Sequence, residues 1–366
     1  MADEELLTFE QAIEDSAGRK GYRSVLLGNG FGIDWKYEAF HYRSLHEDAD
    51  FKGLSVARAT DLFDRLGTYD FEVVIDQLNA AADLADLYDT TDGDLPESLR
   101  ADAQIIRDGL AQVIADRHPD RAQAVTDDEV KHARAFLSRF RFIYTVNYDL
   151  LLYWVVNRRN VDNRTVTAKD GFEYPTARGP WELVWKPVPT QGPQRIFHLH
   201  GALHYFRRPD GQLEKLRYGI SDPLIDQIKA RIEGGEYPEV VTEGKTEDKV
   251  ARIERSDYLR RCHQALAEAS GSLFIHGLSL APNDDHILRT IESEDSKIGA
   301  LYVSVYGEPD TPLNEELMRR ARQVRQRRRD AGGRRLDVLF YRSETAEVWR
   351  EAASVEAPPP SEEPAV

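Results

Sequence analysis

The 366-residue chain holds a single cysteine, Cys262, and only two methionines. One thiol excludes an intramolecular disulfide and any multi-cysteine zinc site. Cys262 itself reads as a small residue on a helix rather than a nucleophile. No stretch approaches the apolar length that crosses a bilayer, and Met1-Ala-Asp-Glu-Glu is acidic where a secretory leader is basic. The expectation is a soluble, cytoplasmic protein without membrane contact. Positive charge is also short: the formal net charge of −16 argues against direct nucleic-acid binding, which needs a basic surface.

Apolar residues are plentiful, at 41% with 10% aromatic. The length exceeds most single cores, so one large domain with an insertion, or two domains, is expected. A short leading helix at 8–19 precedes a strand at Ser24–Leu27. From about Tyr37 to Phe140 the pattern is helical, with one apolar stripe at Phe71, Val74, Ile75, Leu78 and Ala82. A second stripe runs through Ile105, Ile106, Leu110 and Ile114. Pro96 suits a first helical turn, and Pro119 closes that helix after His118.

Strand patterns resume at Phe142–Thr145, Arg195–Leu199, Leu273–Gly277, Leu301–Tyr306 and Leu336–Tyr341. Several are continuous apolar runs, as parallel strands covered on both faces require. Helices at Asp149–Val156, Lys249–Glu268, Asp284–Glu292 and Asn314–Arg329 fall among them. This alternation predicts an α/β fold, a Rossmann-like doubly wound parallel sheet built from 1–36 and 141–342. Residues 37–140 form a large helical insertion over its ligand edge, and 343–366 a disordered acidic, proline-rich tail. Asp170–Pro193, with five prolines and two tryptophans, reads as a long loop or irregular hairpin near the site. Nine arginines between Arg319 and Arg335 lie beside a seam of Leu313, Leu317, Ala321 and Val324, which places them on a wet helix face.

Three apolar runs end in clusters of chemical interest. Gly28-Asn-Gly-Phe-Gly32 follows the first, where glycine lets backbone amides approach a pyrophosphate or simply permits a tight turn. Asp34 either reaches a ribose or caps a helix starting near Trp35. Thr145-Val-Asn-Tyr-Asp149 ends the second run, and Asn147 there is a ligand contact, a cap for a helix starting at Tyr148, or both. Ile196-Phe-His-Leu-His-Gly201 ends the third. His198 and His200, with His204, are readable as metal ligands, as a single base at His200, or as satisfied structural histidines. No cysteine or nearby carboxylate completes a metal set, so no metal is expected. A fourth segment, Phe274-Ile-His-Gly-Leu-Ser-Leu-Ala-Pro-Asn-Asp-Asp-His286, places Gly277 and Ser279 where a cofactor can approach. Its acidic residues equally suit a helix start.

In this order the turns resemble those of the sirtuin-like fold family: Gly28-Asn-Gly30, Thr145-Val-Asn-Tyr-Asp149, His200-Gly201 and Gly277-Leu-Ser279. The resemblance implies NAD⁺ as bound substrate, with Asn147 orienting a water and His200 acting as base. It also implies a cofactor-binding set of Gly28, Asn29, Gly30, Phe31, Asp34, Asp149, Gly277 and Ser279. Sirtuin deacylases add a four-cysteine zinc module and a Pro-Asp-Phe-Arg stretch. This chain has Cys262 alone, and reads Ile33-Asp34-Trp35-Lys36 after Gly32.

The resemblance therefore points to the zinc-free prokaryotic anti-phage branch, NAD⁺ glycohydrolases that release nicotinamide and ADP-ribose. It further implies a restrained, homo-oligomeric effector awaiting an activator or a defence partner protein. A non-catalytic NAD⁺ or ADP-ribose sensor, and an ADP-ribosyl or acyl transferase acting on protein, are the alternatives.

Overall fold

Ser24–Leu27 is apolar at every position after the serine and buried throughout, and it forms the inner part of a central strand. The computed structural model describes residues 6–40, 51, 53–55, 59–88, 94–161, 166, 168–174, 183–189, 192–218, 223–242 and 245–350. Among them are eleven strands: β1 (Tyr22–Leu27), β2 (Phe142–Thr145), β3 (Phe172–Glu173), β4 (Leu183–Trp185), β5 (Ile196–His198), β6 (Gly201–Arg207), β7 (Leu213–Lys215), β8 (Pro238–Val240), β9 (Ser270–His276), β10 (Lys297–Val305) and β11 (Asp337–Arg342). The first sheet has the order β11-β10-β9-β1-β2-β5, and every pairing in it is parallel.

Numbered along the chain within that sheet, the order is 3-2-1-4-5-6, the doubly wound Rossmann arrangement. Its topological switch point lies between β1 and β9. Alternate strand residues feed two cores. Val25, Leu27, Ile143, Phe274 and Tyr302 face one; Leu26, Tyr144, Ile275, Leu301 and Val303 face the other. Burial on both faces is why these strands read as unbroken apolar runs.

The described helices are α1 (Phe9–Ala17), α2 (Gly30–Trp35), α3 (Tyr37–Phe40), α4 (Ala59–Leu66), α5 (Phe71–Tyr88), α6 (Leu95–Arg117), α7 (Asp127–Leu137), α8 (Leu151–Asn157), α9 (Leu224–Glu233), α10 (Thr246–Glu254), α11 (Asp257–Ala267), α12 (Asp285–Glu292) and α13 (Pro312–Asp330). Between β1 and β2 the described residues are helical or irregular, without a strand. The α5 stripe is buried at all five positions, and Ile106, Leu110 and Ile114 of α6 are buried with it. Pro96 sits in the first turn of α6, which ends at His118 before Pro119. The predicted helix at Lys249–Glu268 is two helices. Ser256 interrupts it, because its hydroxyl accepts the Leu259 N–H and caps α11.

Three expectations need correction. Residues 141–342 do not make one sheet: β3-β4-β7-β6-β8 form a second, antiparallel one. Four of its strands are two or three residues long, and buried Glu173, Glu214 and Lys215 interrupt their apolar character, so no period of two emerges. The arginine block is not wholly wet. Arg328 is fully buried and donates to the carbonyls of Ile298 and Ser296, while Arg320 donates to the Leu280 carbonyl and pairs with Asp285. Leu313, expected in the apolar seam, is 75% exposed. Finally, order continues past residue 343. Ser343–Ala346 is a short 3-10 helix, and Trp349 is buried against Phe31 with its indole N–H on the Phe31 carbonyl, 2.7 Å away. The tail expected beyond that, 351–366, lies outside the described residues, as do 175–182 and 190–191 of the proline-rich stretch.

Candidate functional site

At the carboxyl ends of β1 and β9, two glycine turns lie backbone to backbone. Gly28 N–H donates to the His276 carbonyl at 2.9 Å, and Gly30 N–H to the Gly277 carbonyl at 2.8 Å. A Cβ on Gly28 or Gly30 would come within 2.5 Å of Gly277 backbone atoms, so side chains are excluded there. Gly277 itself has φ +69°. Two of the turn's amides are thus committed to the opposite turn, and Asn29 N–H has no partner among the described residues.

Asn147 joins the same place from the end of β2. Its Nδ2 donates to the Gly28 carbonyl at 2.9 Å, and its backbone N–H to Thr145 Oγ1 at 3.0 Å. Its Oδ1 has no partner among the described residues. The helix-cap reading of Asn147 is corrected: α8 begins at Leu151, and the buried Asp149 carboxylate accepts the Leu151 N–H at 2.7 Å. Burial raises the Asp149 pKa to about 6 against that stabilising bond. His118 completes the turn, its Nε2 accepting the Leu150 N–H.

His200 stands one strand further along. Leu199 N–H bonds the Thr145 carbonyl, which sets the third turn beside the second. Gly201 follows with φ +74°, and a Cβ there would lie 1.7 Å from the Glu239 carbonyl oxygen. The His-Gly step is where the chain leaves the parallel sheet and enters the antiparallel one.

The His200 ring is buried, with Nε2 2.8 Å from Nε2 of His286 on α12. His263 lies alongside, its ring 5.6 Å from that of His286 and its Nε2 3.0 Å from the Leu199 carbonyl. Burial, then Lys249, His286 and His263, push the His200 pKa well below 6.5, which keeps the imidazole neutral at pH 7.

The metal trio considered from sequence does not assemble. His198 faces His204 and Tyr205, with ring centroids at 6.2 and 5.3 Å, whereas His200 turns to α12. The strand ends at His198, so the i, i+2 rule no longer applies at His200. The donor atoms of His200, Asp284 and His286 do lie within 4.8 Å of one another, a carboxylate grouping invisible in the local sequence.

Behind them runs a buried charged cluster. Lys249 Nζ of α10 lies 2.6 Å from Glu72 Oε2 and 3.7 Å from Asp284 Oδ1, and Asn283 Nδ2 donates to Glu72 at 2.9 Å. One ammonium serves Glu72, Asp284 and nearby Asp70. Burial foremost, with the neighbouring carboxylates, lifts Glu72 to about 7. Lys249 is also raised: burial, the largest influence, opposes this, but the combined pull of its acidic neighbours prevails.

The remaining expected residues sit apart from this junction or are otherwise engaged. Asp34 lies in the last turn of α2, 3.2 Å from Arg350, and so caps nothing at Trp35. Asn29 Nδ2 donates to the Phe40 carbonyl, and Phe31 is core. Ser279 is exposed. Leu280 beside it holds φ +56°, its carbonyl taken by Arg320. Cys262 is buried with its pKa pushed up to about 12 by burial, which leaves it an inert packing residue.

Two clefts, of about 220 and 470 Å³, open at the amino ends of the strands beside Arg141 and Gly21, on the opposite rim from these turns.

The sequence does not reveal His286, Asp284 and Lys249 as neighbours of His200, nor Glu72 as the partner of Lys249. His286 and Asp284 were visible as a helix start. A glutamate inside Phe71-Glu-Val-Val-Ile75 was the one signal for Glu72.

A family profile described as "Domain of unknown function (DUF4917)" matches residues 25–349. The chain belongs to the DUF4917 family. That span of the DUF4917 protein takes in all four turns, the helical region between β1 and β2, and Trp349. No curated protein matches it. Among solved structures it is similar to a mutant Sir2 homologue in complex with 2'-O-acetyl ADP ribose, at 14% identity and a TM-score of 0.34, over 88% of this chain and 97% of that one. In this DUF4917 protein, no described helix is long and apolar enough to cross a membrane.

Proposed function

We propose that this protein binds NAD⁺ at the switch point between β1 and β9 and hydrolyses it to nicotinamide and ADP-ribose. The observation that carries the reading is the meeting of four turns: Gly28–Gly30 against Gly277, Asn147 on the Gly28 carbonyl, and His200 on the neighbouring strand end. Ligands of doubly wound sheets bind in that crevice.

The residues suit the chemistry. The bond from ribose to nicotinamide breaks with its electron pair leaving on the pyridine nitrogen, so the departing ring needs no proton. Water forms the new bond to the ribose carbon and gives up a proton. With Nδ2 fixed by Gly28, Asn147 offers Oδ1 to hold that water. His200, neutral at pH 7, offers an imidazole to accept a proton from water or a ribose hydroxyl. Because the glycine turns close on each other, the dinucleotide would lie along their outer edge, where Asn29 N–H, unpartnered among the described residues, is a donor and exposed Ser279 is nearby in sequence to Gly277. No metal enters these steps.

Purified protein incubated with NAD⁺ should release free nicotinamide, and Asn147→Ala or His200→Ala should abolish release while the fold persists. Intact NAD⁺ in a wild-type reaction would count against cleavage. Tight NAD⁺ or ADP-ribose binding in the same sample would then identify a sensor. That second reading is favoured by one fact: both Asn147 Nδ2 and His200 Nε2 are already engaged within the protein. On the resemblance of its turns, the role extends to an oligomeric effector that depletes NAD⁺ during phage infection. Cellular NAD⁺ that stays constant through infection of an expressing host would sink that extension.

A further inference from the structure

His200 and His286 meet through Nε2 at 2.8 Å, their ring centroids 5.0 Å apart and their planes 21° from parallel. That centroid separation is close to the greatest the 2.8 Å gap allows, so the rings point straight at each other. Two lone pairs cannot face each other at this distance; one proton must lie between them. A metal bound to both nitrogens at about 2.0–2.1 Å would instead need the lone pairs to converge at an angle on a third point. Both imidazoles are held neutral, chiefly by burial, so the shared proton belongs to one of two tautomer pairs.

The surroundings select between them. His286 Nδ1 is buried beside the backbone of Asn283 without reaching full hydrogen-bond geometry, and it meets no donor among the described residues. A proton on that nitrogen faces a carbonyl, whereas a bare lone pair there faces nothing that can donate. With Nδ1 protonated, His286 Nε2 is an acceptor and His200 Nε2 must be the donor. His200 Nδ1 is then a bare lone pair, and it has no partner among the described residues.

We propose that His286 is a positioning residue: it fixes His200 as the Nε2–H tautomer, so that the imidazole presents a basic Nδ1 to the reacting hydroxyl or water. This rests on the reading of His200 as base, and the tautomer can be measured without turnover. Lys249, ion-paired with Asp284, sits close enough to disfavour a full positive charge on either imidazole.

Imidazole ¹⁵N spectra of the full chain test this, with the His200 signals assigned by their loss in His200→Gln. Protonated Nε2 and bare Nδ1 on His200 are expected in the wild type. His286→Leu should give mixed tautomers and lower the turnover number for nicotinamide release tenfold or more, with KM little changed. His286→Gln, whose amide oxygen can accept the same proton, should restore most of both. A wild-type Nδ1–H tautomer, a tautomer unmoved by His286→Leu, or stoichiometric retention of added Co²⁺ with both His200 and His286 signals shifted would each overturn the proposal. An Nε2–H tautomer in a protein that never releases nicotinamide would leave the pairing intact and remove the hydrolase reading alone.

Discussion

Lys249 Nζ and Glu72 Oε2 lie 2.6 Å apart, both side chains buried, and join α10 to the first turn of α5. The pair ties the helical region to the layer that carries His200, because Asp284 touches both Lys249 and the histidine cluster.

Removal of the ammonium should be worse than removal of the carboxylate. Lys249→Met leaves Glu72, Asp284 and Asp70 without their cation, and the cost should be about 3–5 kcal/mol. Glu72→Gln retains an acceptor for Lys249 and should cost less. Urea denaturation of the two variants checks the order; equal losses would mean that Lys249 has no role beyond Glu72.

Acid should unfold the protein unusually early. Seven of the ten histidines have lowered pKa values, with burial first among the causes: His118, His198, His263 and His276 to about 4, His286 to about 2, and His200 and His204 well below 6.5. As pH falls below 6.5 the unfolded chain takes up protons that the folded one refuses. Stability held above 6.5 is therefore lost on the way down, by up to about 1.4 kcal/mol per histidine per pH unit. Glu72, raised to about 7, and Asp149, raised to about 6, act with the opposite sign. Their stabilisation is complete below their unfolded values and lost as pH rises through 7 and 6. Burial raises Asp34, Asp70, Asp76, Asp108, Asp284 and Glu292 with the same sign. All seven histidines lose stability together between pH 6.5 and 5, so the urea midpoint should drop across that window. A flat profile there would show that the rings protonate in place.

Gly201→Ala should be the most damaging glycine substitution. The new Cβ would meet the Glu239 carbonyl at 1.7 Å from a left-handed backbone position. Gly30→Ala, with 2.5 Å to Gly277 Cα, should cost about 1–3 kcal/mol and weaken NAD⁺ binding by forcing the two turns apart. Thermal melts with and without NAD⁺ separate the two effects.

Native Cys262 should resist iodoacetamide and react only after unfolding, because its thiol is buried and its pKa is pushed up to about 12. Mass spectrometry of alkylated samples reads this directly, and rapid native labelling would mean that α11 opens.

The parallel sheet was legible because its strands are buried on both faces and announce themselves as apolar runs, as at Phe142–Thr145 and Leu273–Gly277. The four turns were legible for the same reason, since each ends such a run. The second sheet was hidden by its two- and three-residue strands and by charges such as Lys215, whose buried partner Asp170 lies 45 residues away. His286 was hidden by distance: 86 residues separate it from His200, and a proton shared across that span leaves no mark in local pattern.

β5 ends at His198 and β6 begins at Gly201, so Leu199 and His200 alone form the seam between two differently built sheets. One end of the seam is pinned by Thr145, the other by Val241, whose N–H holds the His200 carbonyl at 3.0 Å. A tilt of either sheet against the other has no slack to absorb it. The imidazole would be dragged along α12 by such a tilt, and the fit of one proton between two nitrogens would register the movement of the whole antiparallel sheet.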